Sequence, residues 1–167
     1  MKKLLLAAII SLSTISTAAL AEIKVGIILG FTGPIETLTP AMRDSAKLAF
    51  AEVSSSGKLL GGETITPMMA DSTCGDSDAA VTAAEMLVNE GVAAIMGADC
   101  SGVTGAIATN VAVPNGVTMV SPSATSPGLT SLADNGLFFR TAPSDAKGGQ
   151  VLAQVAIDRG LTSVAVT

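Results

Sequence analysis

Short apolar runs alternate along the chain with longer stretches whose apolar residues recur at helical spacing. Ile23 to Leu29 is apolar except at Lys24 and Gly26, the pattern of a strand buried on both faces. Thr39 is placed to cap a helix with Pro40 at its first position. Met42, Ala46, Ala49, Phe50 and Val53 then fall on one face, and Ser54 to Gly57 stops the run. Ile65 to Ala70 is a second strand. Its Pro67 lacks a ladder donor, which assigns it to a sheet edge. Asp76, Ser77 and Asp78 open the next helix, where acids suit the positive end. Ala80, Ala84, Leu87 and Val88 are its stripe, and Gly91 ends it. Val92 to Met96 is a third strand. A short helix follows from Ser101 or Gly102 to Val111, broken by Pro114-Asn115-Gly116. Val117 to Val120 is a fourth strand, and a loop rich in Ser, Pro and Thr comes after it. Leu137 to Arg140 is a short strand. Ser144 caps a helix to Asp158, with Gly160 beyond, and a last strand starts near Ser163.

This alternation predicts an α/β fold, a doubly wound parallel sheet with helices on both faces. Ligands of such sheets bind at the carboxyl ends of the strands. The loops that matter are therefore 30–39, 71–76, 97–102 and 121–127. No internal repeat is visible.

The chain begins with Lys2 and Lys3, an apolar run from Leu4 to Ile10, a softer stretch to Leu20, and Ala19-Leu20-Ala21. That is the three-part pattern of a cleaved signal peptide over residues 1–21. Ser11, Ser13, Thr14, Ser16 and Thr17 interrupt the run before it reaches the ~20 apolar residues of a membrane span. The mature chain is expected to start at Glu22, periplasmic and soluble. Cleavage takes two lysines and no acid from a net charge of −5, leaving −7. An acidic surface argues against nucleic acid or anionic membrane as partner. Residues 22–167 are the length of one domain. The chain stops at Val164-Ala165-Val166-Thr167, a run that reads as a strand entering a core, so more protein is expected beyond it.

With no His in the sequence, the commonest general base and metal ligand is missing. Cys74 and Cys100 follow strands two and three, and an exported chain with two cysteines usually pairs them. Two free buried thiols are the alternative; a metal site has too few soft ligands. The glycines of "GIILGFTG" miss the dinucleotide spacing and read as a tight turn. Ser101 in "GADCSGVTG" misses the spacing of a nucleophile elbow and has no base. It reads as a helix cap, or as a carboxylate site made by its hydroxyl and the helix's free N–H groups. "SPSATSPGLT", residues 121–130, reads as a surface loop or as a second binding loop.

Four segments, "IKVGIILGFTGP" (23–34), "DSTCGDSDAAVTAAEMLVNEGVAAIMGADCSGVTGAIA" (71–108), "MVSPSATSPGLT" (119–130) and "FFRTAPSDAKGGQ" (138–150), together resemble the type I periplasmic binding proteins of the leucine/isoleucine/valine branch. The resemblance covers residues 22–167 and implies the N-terminal lobe of a two-lobed receptor. Such a receptor closes around a small amino acid and delivers it to an ABC permease, with no cofactor and no catalysis. It also implies a Cys74–Cys100 bridge and a carboxylate-binding role for Ser101. Ser123, Ala124 and Thr125 would form a second ligand loop whose backbone and threonine hydroxyl hold the carboxylate and ammonium. Leu38 falls where the family's amino-acid binders carry Trp. That departure keeps urea, amides and other small organic acids open as ligands. A sensory ectodomain is the rival role for the same fold.

Overall fold

A buried parallel strand needs side chains that pack on both of its faces, and β1 (Glu22–Leu29) has them. Ile27 and Leu29 point to one face of the sheet, against Ala46, Met42 and Phe50 of α1 (Thr39–Ser55). Ile28 points to the other, against α2 (Ser77–Asn89) and the residues around α3 (Ser101–Ile107). All three are fully buried, each contributing about 1.5–3 kcal/mol of hydrophobic stabilisation. Alternation along one strand thus divides the core into two layers, the larger under α2 and α3.

The structure, a computed structural model, describes residues 22–165. The expected signal peptide, 1–21, and the end of the expected last strand, 166–167, lie outside the described residues. Five parallel strands lie in the order β2-β1-β3-β4-β5, with β2 at Thr64–Asp71, β3 at Ala94–Gly97, β4 at Thr118–Ser121 and β5 at Phe138–Arg140. This is the expected α/β doubly wound sheet. Pro67 sits on edge strand β2, opposite Val25, as its missing N–H requires. The chain steps outward from β1 to β2, then crosses back to β3 on the other side of β1. The topological switch point is therefore between β1 and β3.

Local details differ from the sequence reading for identifiable reasons. Thr39 is not the cap of α1: Leu38 holds that place without a side-chain bond. The Thr39 hydroxyl turns inward instead, donating to Gly30 O at 3.3 Å and Glu36 O at 3.2 Å. Ala49 and Val53 are exposed; only the Met42, Ala46, Phe50 row meets the sheet. After α3 the chain continues as a π-helical turn, Ala108–Ala112, and Pro127–Ser131 forms a 3₁₀ turn inside the expected loop. α4 (Asp145–Asp158) starts on the expected cap, with Ser144 Oγ accepting from Ala146 N. Residues 161–165 form no strand, having no ladder partner among the described residues.

Candidate functional site

Two aspartates hold together the loops after β1, β2 and β3 at the carboxyl ends of the strands. Asp99, 3% exposed, sits at the switch point. Its Oδ2 accepts from Gly30 N at 2.8 Å; its Oδ1 accepts from Cys100 N at 2.9 Å and Ser72 Oγ at 3.3 Å. One carboxylate thereby ties the loops after β1, β2 and β3. Asp71 performs the same task further out. It accepts from Phe31 N at 3.0 Å, Thr32 N at 3.3 Å, Thr32 Oγ1 at 2.7 Å and Thr73 N at 2.8 Å. Burial opposes its ionisation, but the bonds from the Thr32 hydroxyl and the backbone of Thr73, Thr32 and Phe31 outweigh it. The Asp71 carboxyl is held below its ordinary value.

Cys74 and Cys100 are bridged, with Cα atoms 5.3 Å apart. The bridge fastens the loop after β2 to the residue that opens α3. In that loop Thr73 and Cys74 both take positive φ, 57° and 64°, a strained choice for a β-branched residue. The disulfide and the Asp71 bond to Thr73 N hold it there. Gly33 passes so close that a Cβ would stand 2.4 Å from Thr73 O. Gly97 is more constrained still, its φ of 133° placing a notional Cβ 2.0 Å from Ile28 O.

Ser101 is the first helical residue of α3, with Cys100 as the cap. Its hydroxyl serves the loop after β4 instead: Ser101 Oγ accepts from Thr125 N and Ser126 N, both at 3.1 Å. Two further hydroxyls stitch the same pair of loops. Ser123 Oγ donates to Asp99 O at 3.0 Å; Ser121 Oγ donates to Ala98 O and accepts from Ala124 N at 3.0 Å. Thr125 Oγ1 donates to Asp145 Oδ2 at 2.9 Å, and Asp145 N returns a bond to Thr125 O at 3.0 Å. Ser101, Ser123, Ala124 and Thr125 are therefore brought together. Leu38 stands apart from this hydrogen-bonded group, 58% exposed at the start of α1. A hollow of about 610 Å³, lined in part by Arg43, Asp44, Lys47 and Asp71, lies on the flank of α1 and β2.

Four residues that brace the site were missed in the sequence: Asp71, Asp99, Asp145 and Arg140. Arg140 Nη1 donates to Ala124 O at 3.3 Å and Ser126 O at 2.8 Å, and its Nη2 to Thr130 Oγ1 at 2.6 Å. It grips the loop after β4 from behind. A lone arginine ending an apolar strand was the available signal.

The 2-1-3-4-5 parallel sheet, with hydroxyl-lined loops at the carboxyl ends of β3 and β4, has the fold of the type I periplasmic binding proteins, as its likeness to solved members shows. The chain belongs to the periplasmic binding protein family, which matches residues 22–167. It is 30% identical over 152 residues to the Leu/Ile/Val-binding protein BraC3 of Rhizobium johnstonii, covering 91% of this chain and 40% of the relative. An ABC transporter substrate-binding protein from Desulfitobacterium hafniense, solved with Leu, matches with a TM-score of 0.72 at 25% identity, over 84% of this chain and 40% of that one. A solute-binding protein of an ABC transporter from R. palustris, solved with benzoate, matches at 0.71 and 25% identity, over 84% and 38%. The chain spans about two-fifths of the length of these relatives.

Proposed function

We propose that the chain is the N-terminal lobe of an exported two-lobed receptor. The receptor captures a small amino acid of branched-chain type between its lobes and delivers it to an ABC permease. Residues 1–21 direct export and are removed, leaving a periplasmic protein that begins at Glu22. The reading is supported by family membership and by the relatives' names, which are those of binding proteins.

The observation that carries the ligand reading is the state of the Ser101 hydroxyl. A hydroxyl has one proton and two lone pairs. Ser101 Oγ already accepts two N–H groups, so its proton is the hydrogen-bonding capacity it has left. It can serve a ligand only by donating, and a carboxylate is the acceptor that rewards this most. N–H groups of the first turn of α3, unpaired within the helix, reinforce the same polarity. On the other loop the Ser123 hydroxyl is committed to Asp99 O, so Ser123 contributes through its backbone. Thr125 offers its hydroxyl oxygen. Buried Ala124 shapes the floor. Leu38 contacts the aliphatic part of the ligand at the rim.

A second reading, a small organic acid without an amine, is favoured by the benzoate-bound relative and by the aliphatic Leu38. A thermal-shift panel on the mature two-lobed protein separates them. Leucine, isoleucine or valine at a hundredfold excess over Kd should stabilise it by about 2.7 kcal/mol. A shift with benzoate and none with any amino acid would replace the first reading by the second.

A further inference from the structure

Given an amino acid held at Thr125, as proposed above, we infer that Asp145 is a positioning residue that makes the site select a protonated amine. The Thr125 hydroxyl spends its one proton on Asp145 Oδ2 at 2.9 Å. The Asp145 N–H holds Thr125 O at 3.0 Å, so the two residues are locked by a reciprocal pair of bonds. With its proton committed, Thr125 Oγ1 presents only lone pairs, and whatever binds there must donate. Ser101 is set the opposite way, its lone pairs taken by Thr125 N and Ser126 N and its proton available. The two hydroxyls belong to residues joined by a 3.1 Å hydrogen bond, so an obligate donor and an obligate acceptor stand side by side. That polarity matches the head of an α-amino acid and mismatches a ligand with a carboxylate alone.

The charge on Asp145 acts in the same direction. Neither ion pair among the described residues involves it, so its negative field at Thr125 favours a cationic donor. Asp145 is exposed, and an exposed bond of this kind adds little to folding stability. The residue sets which way a proton points rather than holding the lobe together.

The test uses the mature two-lobed protein and two probes: L-leucine, and 4-methylpentanoate, which has the same carbon chain and carboxylate without the amine. Calorimetric titration of wild type should show a clear preference for leucine. Asp145→Ala frees the Thr125 proton to rotate and should weaken leucine about tenfold while leaving 4-methylpentanoate unchanged or tighter. Asp145→Asn, which keeps the size and loses the charge, should give a smaller fall in the same ratio; it carries the test if the alanine variant fails to fold. A merely structural role would weaken both probes alike. An unchanged leucine-to-methylpentanoate ratio in the folded variants overturns the assignment. Wild type that binds neither leucine nor any other amino acid overturns the amino-acid reading itself, before any substitution is made, and the assignment falls with it.

Discussion

Individual side chains here do several tasks at once, and that is why some were legible in the sequence and others were not. Asp71 shows how a pH response follows from geometry. Its folded-state carboxyl is held below the ordinary value of 3.8 by four donors, despite burial. A depressed value means that the unfolded chain binds the proton first as pH falls. The stabilisation is therefore complete above 3.8 and is lost as pH drops from there through the lower folded-state value. Asp71→Asn should remove this contribution. The stability gap between wild type and variant, measured by urea unfolding, should be widest at neutral pH and close in acid. A gap that persists undiminished in strong acid contradicts the assignment. Asp71 was visible in the sequence only as the first residue of the loop 71–76. Its donors Phe31 and Thr32 come from 40 and 39 residues away, a distance no local pattern spans. Thr39, read as a cap, and Ser101, for which a cap was one of two readings, do not cap their helices for a related reason. Each hydroxyl found a tertiary partner that outweighed the free N–H groups of its own helix.

At the scale of elements the pattern spoke more clearly. Order and type of strands and helices followed from apolar period, and Pro67 alone was enough to place β2 at the edge. The Ser101–Thr125 pairing was also foreseeable, since both loops end adjacent parallel strands, β3 and β4. The bracing from β5 and α4, through Arg140 and Asp145, was not. It depends on how the turn after β5 returns to the loop after β4. The disulfide is the strongest tie between elements that the sequence disclosed. It closes a loop of 26 positions, worth roughly 3–4 kcal/mol by the chain-entropy account. It also pins the strained Thr73-Cys74 backbone to the start of α3. The double variant Cys74→Ser, Cys100→Ser should lose about that much in urea unfolding, and addition of reductant to wild type should reproduce the loss. Equal stability with and without the bridge would show that the aspartate bonds alone hold the loops.

Across the whole molecule, one sheet edge gathers everything with binding chemistry. The carboxyl ends of β1 to β4 carry the two loop-tying aspartates, the disulfide and the hydroxyl cluster, while the two apolar layers lie beneath the helices. α4 covers no core of its own: none of its residues is buried, and Leu152 and Ile157 are 72% and 68% exposed. The hydroxyl cluster proposed as the site lies among the loops at the carboxyl ends of the strands, where the two-lobed receptor proposed above would need it. The central claim is that the Ser101 proton is kept free to meet the ligand's carboxylate. Calorimetric titration of the mature two-lobed protein and its Ser101→Ala variant with L-leucine tests it most directly. Wild type should bind saturably, and the variant should lose about 1.5–3 kcal/mol, the range for a hydrogen bond to a charged group. Leucine binding of equal strength in both proteins would contradict it, leaving Ser101 as no more than a tie between two loops.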